Sequence, residues 1–277
     1  MMIPGKVFGN HHGNLPIGEF RFRSAYGHQR NNNNNCSQNR PLKIILKFTR
    51  TFIKSNTLLI IILNNNIKAL IIDLDGTMID SLQDLVLAVN LTLEELGYPR
   101  MNDVFIKNAV GDGARNLLET CLPAPQVADD QTYELFMFNY NSNCNNHTEL
   151  YPGVVDFLEK TAHLKKAILT NKPIAPTMKI ITSLGVDHFF ELVYGGDSFP
   201  HRKPHPMGLQ TILQFFHISA TQAMMIGDGF QDIRAAHAVG MDSIAIINRI
   251  GKKAALLREK PTYLVQNFQE ISAMFST

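Results

Sequence analysis

The chain has 277 residues, of which 45% are hydrophobic and 18% charged, and its formal net charge is +2. This length allows one large domain or two small ones, and the composition is sufficient for a sizeable buried core. The three cysteines, Cys36, Cys121 and Cys144, lack the spacing of a metal site. So few thiols argue against a disulfide-stabilised scaffold and favour a cytoplasmic protein.

The charge is divided unevenly along the chain. Residues 1–66 contain nine Lys or Arg residues, one acid, Glu19, and twelve asparagines, whereas the remaining residues carry a net negative charge. We interpret residues 1–66 as a basic, Asn-rich leader whose first forty residues are disordered. Leu58–Leu63 is far shorter than the roughly 20 apolar residues of a membrane span, and we expect no secretory signal. An organelle transit peptide, an arm for nucleic acids or membrane surfaces, and an extension without function stay open.

From Ile67 onward, short apolar segments alternate with helical ones. The predicted strands are Lys68–Ile72, Ala167–Leu169, Leu192–Tyr194, Met224–Ile226, Ser243–Ile247 and Thr262–Val265. The predicted helices between them are Val154–His163, Ala175–Leu184, Met207–Phe216 and Ile233–Val239. This alternation predicts an α/β fold with a doubly wound, Rossmann-like parallel sheet, built from residues 67–80 and 151–277.

One interval interrupts this alternation. Between Asp80 and Tyr151 the sequence predicts only helices, at Leu82–Leu96, Asp103–Ala109, Ala114–Cys121 and Asp129–Asn143. We interpret residues 81–150 as an all-helical cap inserted after the first strand. Because ligands of open α/β sheets bind beyond the carboxyl ends of the strands, such a cap is expected to close over the ligand.

Polar clusters follow four of the predicted strands. They are Asp73-Leu-Asp75-Gly-Thr77, Thr170-Asn171-Lys172, the segment from Gly195 to Pro206 that contains Lys203, and Gly227-Asp228-Gly-Phe-Gln-Asp232. Because parallel strands end at the same edge of a sheet, we expect these clusters to converge.

The side chains in these clusters suit phosphate chemistry. Asp73 and Asp75 are two residues apart, so both carboxyl groups leave an extended segment on the same side. With Asp228 they provide the hard oxygen ligands that Mg²⁺ prefers. Thr170, Asn171 and Lys203 offer a hydroxyl, an amide and an ammonium group that can hold a phosphate.

These motifs, in this order, resemble those of the haloacid dehalogenase superfamily of phosphatases over about residues 67–250. Within that superfamily, Thr170-Asn-Lys-Pro173, Tyr194-Gly-Gly-Asp197, Lys203-Pro-His-Pro206 and Val110-Gly-Asp-Gly-Ala114 look like those of the phosphoglycolate phosphatases.

The resemblance implies a role for each matching residue. Asp73 is expected to be the nucleophile and a metal ligand. Asp75 is expected to be the general acid and base, with its main-chain carbonyl on the metal. The remaining implied roles are phosphoryl binding by Thr170 and Lys203 with Asn171 nearby, metal ligation by Asp228, and either metal ligation or a place beside the metal for Asp232.

The implied activity is Mg²⁺-dependent hydrolysis of a phosphomonoester through an aspartyl-phosphate, with 2-phosphoglycolate giving glycolate and phosphate. The alternatives are a phosphatase or mutase for another small sugar phosphate, similar to β-phosphoglucomutase, and a non-catalytic phosphate-binding protein. The expected partner is a small phosphorylated metabolite. We expect residues 67–277 to bind neither nucleic acid nor membranes, and monomer and homodimer both stay open.

Phosphoglycolate carries a carboxylate opposite its phosphate, and burying that charge without a partner is costly. The turn at Gly113 opens the predicted helix at Ala114, whose free N–H groups suit an anion. Arg115 in the first turn could add a two-pronged contact to the carboxylate. The alternative is an Arg115 exposed on the helix surface.

Overall fold

The computed structural model describes residues 66–247 and 253–275. The predictions made for residues 1–65 lie outside these ranges. Within them, no helix combines the length and the apolar character that crossing a bilayer requires.

Eight strands occur in the described residues. They are β1 (Ala69–Ile72), β2 (Ile79–Asp80), β3 (Glu149–Leu150), β4 (Lys165–Leu169), β5 (Leu192–Tyr194), β6 (Ala223–Gly227), β7 (Asp242–Ile246) and β8 (Tyr263–Val265). Six of them form a parallel sheet in the order β5-β4-β1-β6-β7-β8. The prediction of a doubly wound α/β fold is therefore confirmed.

Ten α-helices accompany these strands in the described residues. They are α1 (Leu82–Glu95), α2 (Asp103–Ala109), α3 (Ala114–Cys121), α4 (Asp130–Asn143), α5 (Val154–Lys160), α6 (Ile174–Ser183), α7 (Met207–Phe216), α8 (Phe230–Val239), α9 (Lys253–Arg258) and α10 (Phe268–Met274). Short 3₁₀ helices lie at Asp187–Phe189 and Ala220–Gln222.

The position of β1 at the centre of the sheet explains why its sequence is apolar without interruption. All four of its residues are buried. Leu70 and Ile72 belong to one hydrophobic cluster, whereas Ala69 and Ile71 belong to a second cluster on the other side of the sheet. A parallel strand that is covered on both faces needs apolar residues at every position rather than at alternate ones.

Helices α1 to α4 occupy the interval between β2 and β3, as the sequence predicts for this region. The two-residue strands β2 and β3 pair antiparallel and bring the entry and exit of this helical insert side by side. The buried carboxylate of Asp84 on α1 reinforces the junction, since it accepts hydrogen bonds from the backbone N–H groups of His147 and Thr148. We refer to α1–α4 and their connections as the cap.

The sequence did not predict β2, β3, α9 or α10. Two-residue strands are too short to show a period, so β2 and β3 depend on tertiary pairing alone. Helix α10 packs on α5, and Phe268 buries its ring against Phe157 at 5.3 Å between centroids.

Candidate active site

The carboxyl edge of the sheet gathers the predicted polar residues around one cavity of about 650 Å³. Asp73 and Asp75 follow β1, Thr170 follows β4, and Asp228 follows β6. The predicted residues that line this cavity are Asp73, Asp75, Gly113, Thr170, Asn171, Lys203, Asp228 and Asp232. The structure does not bring Arg115 to it.

Three carboxylates and one lysine form the centre of the site. Oxygen atoms of Asp73, Asp228 and Asp232 lie within 4.8 Å of one another. The ammonium group of Lys203 lies 2.8 Å from Oδ1 of Asp73 and 2.6 Å from Oδ1 of Asp232. All four residues are buried or nearly so, which makes each charge dependent on its neighbours.

The protonation equilibria reflect this crowding. Burial, with the negative charges of Asp73 and Asp232 adding to it, raises the pKa of Asp228 well above its usual range. Burial also raises the pKa of Asp232 to about 6, against the opposing effect of the Lys203 ammonium. Burial lowers the pKa of Lys203, but the charges of Asp232 and Asp73 outweigh it and leave the pKa raised. Lys203 therefore stays protonated at neutral pH.

The residues after Asp75 explain the Gly-Thr pair of the first motif. Gly76 has φ 77°, a backbone conformation that favours glycine. A Cβ atom at this position would lie 2.9 Å from the carboxyl carbon of Asp228, so only glycine lets the loop pass this close. Thr77 then donates a hydrogen bond from Oγ1 to Oδ1 of Asp228 at 3.2 Å. Together they pack the turn after β1 against the acid after β6.

Asp75 stands apart from the three-carboxylate cluster. Its Oδ1 accepts a hydrogen bond of 2.5 Å from the hydroxyl of Ser81 and one of 2.8 Å from the ammonium group of Lys172. The side chain of Asp75 is 17% exposed and lines the cavity. The two aspartates of the motif therefore have different partners, as their different implied roles require.

Thr170 and Asn171 lie at the end of β4. The backbone N–H of Thr170 donates to the carbonyl of Tyr194 at 3.0 Å, and its side chain is part of the cavity wall. The amide nitrogen of Asn171 donates to the carbonyls of Lys203 at 3.0 Å and Gly111 at 3.3 Å. Asn171 therefore connects the loop that contains Lys203 to the cap, and both hydrogen bonds come from its side-chain NH₂ group.

The cap supplies the opposite wall of the cavity through the end of α2, the connection between α2 and α3, and α3 itself. Besides the bond from Asn171 to Gly111, two further polar contacts join this wall to the core. Gln231 on α8 donates to the carboxylate of Asp112 at 2.6 Å, and Arg202 donates to the side chain of Asn116 at 3.3 Å. The cap therefore rests on the core through polar side chains that surround the cavity.

The structure supports the role of Gly113 as the start of α3 but gives Arg115 another environment. Gly113 has φ 90° and precedes Ala114, the first residue of α3. Arg115 instead donates to the carbonyl of Ala128 at 2.6 Å, pairs with Asp130 at 2.9 Å, and stacks over the ring of Tyr133. These contacts hold the segment between α3 and α4 and leave the guanidinium group committed within the cap.

The family model of the haloacid dehalogenase-like hydrolases matches residues 70–246. This range runs from the second residue of β1 to the end of β7 and includes all eight of the predicted residues around the cavity. The chain belongs to the haloacid dehalogenase-like hydrolase family. Membership accounts for the strand-end acids and for the helical insert after the first strand.

Relatives within this family share most of their length with the chain. A phosphoglycolate phosphatase from Colwellia psychrerythraea is 34% identical over 214 residues, which are 74% of this chain and 95% of the relative. One from Haemophilus influenzae is 30% identical over 220 residues, which are 76% and 98% of the two chains.

Solved structures of family members agree with this fold. The crystal structure of a predicted phosphoglycolate phosphatase from Haemophilus somnus has a TM-score of 0.71 at 29% identity, and 76% of this chain covers 99% of that one. A haloacid dehalogenase-like hydrolase from Streptococcus pneumoniae has a TM-score of 0.69, also at 29% identity and with the same coverage.

Several residues of the site give little signal in the sequence. Ser81, Tyr140 and Gln231 reach the site only because the fold brings their elements there. Tyr140 lies on α4, more than sixty residues from Asp75 in the chain, and its helix position gives no hint of a polar partner. Lys172 could be suspected because it directly follows Thr170 and Asn171.

Proposed function

We propose that this chain is a phosphomonoester hydrolase that acts on 2-phosphoglycolate through an aspartyl-phosphate formed on Asp73. The observation that carries the proposal is the position of the Asp73 carboxylate on the cavity wall, paired with Lys203 at 2.8 Å and next to the acids Asp228 and Asp232. A carboxylate held by a buried cation at the floor of a pocket is suited to attack an electrophilic phosphorus.

The acid cluster fits a magnesium ion. Its members Asp73, Asp228 and Asp232 offer carboxylate oxygens within 4.8 Å of one another, and such hard ligands suit Mg²⁺. Burial, and after it the negative charges of Asp73 and Asp232, raise the pKa of Asp228, and a bound divalent cation would favour the charged carboxylate. The main-chain carbonyl of Asp75 is the further ligand expected from the family. Bound Mg²⁺ would offset the repulsion between the attacking carboxylate and the phosphoryl oxygens.

The residues of the core divide the reaction between them. Lys203 and Thr170 bind the oxygens of the transferring phosphoryl group, and the carboxylate of Asp73 attacks phosphorus. Asp75 gives its proton to the leaving alkoxide as the bond between phosphorus and that oxygen breaks. In the second step Asp75 takes a proton from water, which attacks the phosphoryl group on Asp73 and releases phosphate.

Lys203 suits the phosphoryl-binding role because ion pairs hold its positive charge in place. The carboxylates of Asp73 and Asp232 hold its ammonium group at 2.8 and 2.6 Å, and Asn171 holds its backbone carbonyl at 3.0 Å. A cation fixed before substrate arrives stabilises developing negative charge without reorganising during the reaction.

The choice of 2-phosphoglycolate rests on the relatives that bear this name and on the cavity. A volume of about 650 Å³ with the cap as one wall is ample for a small phosphate ester. We retain Gly113 at the start of α3 as the proposed cap contact for the carboxylate. Arg115 keeps this role only as the less favoured hypothesis, because Ala128, Asp130 and Tyr133 already engage it.

The test is release of inorganic phosphate from a panel of esters, with and without Mg²⁺. The panel contains 2-phosphoglycolate, p-nitrophenyl phosphate and glucose 1-phosphate with its bisphosphate, and the Asp73→Asn variant controls for a contaminating phosphatase. We expect Mg²⁺-dependent release with a kcat/KM at least about tenfold higher for 2-phosphoglycolate than for the other esters.

Other outcomes would contradict the proposal in distinguishable ways. Isomerisation of glucose 1-phosphate without phosphate release would identify a mutase. Binding of phosphate esters without turnover of any of them would identify a phosphate-binding protein.

A further inference from the structure

Lys172 is a buried lysine that the steps above leave without a role. It follows Thr170 and Asn171 at the end of β4, and its side chain is only 2% exposed. Its ammonium group lies 2.8 Å from Oδ1 of Asp75 and donates a hydrogen bond to the hydroxyl of Tyr140. Burying a lysine is costly unless its charge is paired and its hydrogen bonds are made, so this arrangement fixes the ammonium group at a defined place.

The contacts of Asp75 determine which of its oxygens can carry a proton. Ser81 and Lys172 both donate to Oδ1, at 2.5 and 2.8 Å. A carboxylate oxygen has two lone pairs, and these two donors use both of those on Oδ1. A proton carried by Asp75 therefore resides on Oδ2, and the two donors set the plane in which Oδ2 lies.

Tyr140 connects this arrangement to the cap. It lies on α4 with 1% of its surface exposed, and the Lys172 ammonium group is 4.7 Å from the centroid of its ring. Its ring stacks on that of Phe136 one turn earlier, at 5.9 Å between centroids. The position of the ammonium group thus depends on a cap helix as well as on the core.

We propose that Lys172 is a positioning residue that orients the carboxyl group of Asp75 toward the leaving oxygen, and that Tyr140 holds Lys172 in place from the cap. The inference rests on the proposed role of Asp75 as general acid. In the first step the proton passes from Oδ2 of Asp75 to the leaving oxygen, the bond from that oxygen to phosphorus breaks, and the bond from Asp73 to phosphorus forms. Lys172 keeps its protons throughout.

The competing role for Lys172 is direct contact with the carboxylate of the substrate. Both roles predict slower turnover of 2-phosphoglycolate, so that substrate alone cannot separate them. Substituted phenyl phosphates can, because they lack a carboxylate and vary the basicity of the leaving oxygen at nearly constant shape. A basic leaving group needs the proton from the acid, whereas the acidic p-nitrophenol leaves without it.

The experiment measures kcat/KM for this series, which reports phosphoryl transfer to Asp73, in wild type, Lys172→Met and Tyr140→Phe. We expect Lys172→Met to lose at least about tenfold more activity on phenyl phosphate than on p-nitrophenyl phosphate. The ratio of kcat/KM for p-nitrophenyl phosphate to that for phenyl phosphate should therefore rise in Lys172→Met. Tyr140→Phe, which removes only the hydroxyl, should raise this ratio by about threefold. Tyr133→Phe on the same helix is the matched control, and it should leave the ratio unchanged.

Asp75→Asn serves as the reference, since it removes the acid itself. If Asp75→Asn makes kcat/KM depend more steeply on the basicity of the leaving group and Lys172→Met does not, the positioning role of Lys172 is wrong while the proposed function stands. If Asp75→Asn leaves the dependence unchanged, the proposed role of Asp75 is wrong.

A loss by Lys172→Met that is confined to 2-phosphoglycolate would assign Lys172 to the substrate carboxylate and overturn the inference. Equal losses on all esters would do the same. If Lys172→Met does not fold, the ratio in Tyr140→Phe decides alone, and an unchanged ratio would overturn the inference.

Discussion

The two ends of the sheet each bury a lysine, and their surroundings differ. At the carboxyl end, Lys203 lies between Asp73 and Asp232, and these carboxylates raise its pKa in spite of burial. At the amino end, Lys166 on β4 donates to the backbone carbonyls of Thr161 and Leu164, and burial lowers its pKa to about 8. Burial alone therefore does not mark a functional lysine, whereas burial among carboxylates in a cavity does.

We expect the largest effect from a substitution of the nucleophile at the carboxyl end of the sheet. Asp73→Asn keeps the shape of the side chain but removes the attacking charge, so phosphate release should fall by about 10⁴-fold or more. Asp156→Asn on α5, an exposed acid paired with Lys160, is the control and should retain full activity. A tenth of the wild-type rate remaining in Asp73→Asn would contradict the covalent mechanism.

The next effect concerns the acid cluster. Asp228→Asn removes one charged oxygen ligand, so the Mg²⁺ concentration for half-maximal activity should rise by about 100-fold. A titration of activity with Mg²⁺ measures this, and Asp187→Asn, which lies in a 3₁₀ helix outside the cavity, is the control. Removing Mg²⁺ with a chelator should abolish activity in every variant. An unchanged Mg²⁺ requirement in Asp228→Asn would exclude Asp228 as a ligand.

Lys166, at the amino end of the sheet, should instead affect the free energy of unfolding. Because the pKa of Lys166 is lowered to about 8 in the folded protein from 10.5, the unfolded chain binds more protons between these values. Folding stability should therefore gain a contribution as pH rises from about 8 to 10.5, on the order of 3 kcal/mol. Below pH 8 both states are protonated and this contribution is absent.

Thermal or denaturant unfolding from pH 7 to pH 10.5 measures this contribution. Lys166→Met should lack it, whereas Lys165→Met, which changes the exposed neighbouring lysine, should keep it. Activity at neutral pH should change little in either variant. Parallel stability curves for wild type and Lys166→Met would contradict the lowered pKa.

The smallest effect concerns the cap. Arg115→Ala removes contacts to Ala128, Asp130 and Tyr133 and should lower the free energy of unfolding by about 1 kcal/mol. Its effect on KM should be the same for 2-phosphoglycolate and p-nitrophenyl phosphate. Arg100→Ala, which breaks an exposed ion pair with Glu94, is the control and should cost less. A KM increase confined to 2-phosphoglycolate would restore Arg115 as the contact for the substrate carboxylate.

The sheet, the helical insert and the acids at the strand ends could be predicted from the amino-acid sequence. These features depend on local properties: an apolar run such as that of β1, helical periodicity in the cap, and motifs that follow their strands directly. Parallel strands place their carboxyl ends at one edge, so the convergence of Asp73, Thr170 and Asp228 followed from the order of elements alone.

The partners of the individual side chains depend on the tertiary fold and could not be predicted. Arg115 faces Ala128 and Asp130 rather than the cavity because the connection between α3 and α4 folds back along α3. Tyr140 reaches Lys172, and Gln231 reaches Asp112, because the cap rests on the core. Such contacts join residues far apart in the chain, and no local period or motif records them. They depend on how the helices pack, which fixes distances that the sequence pattern leaves free.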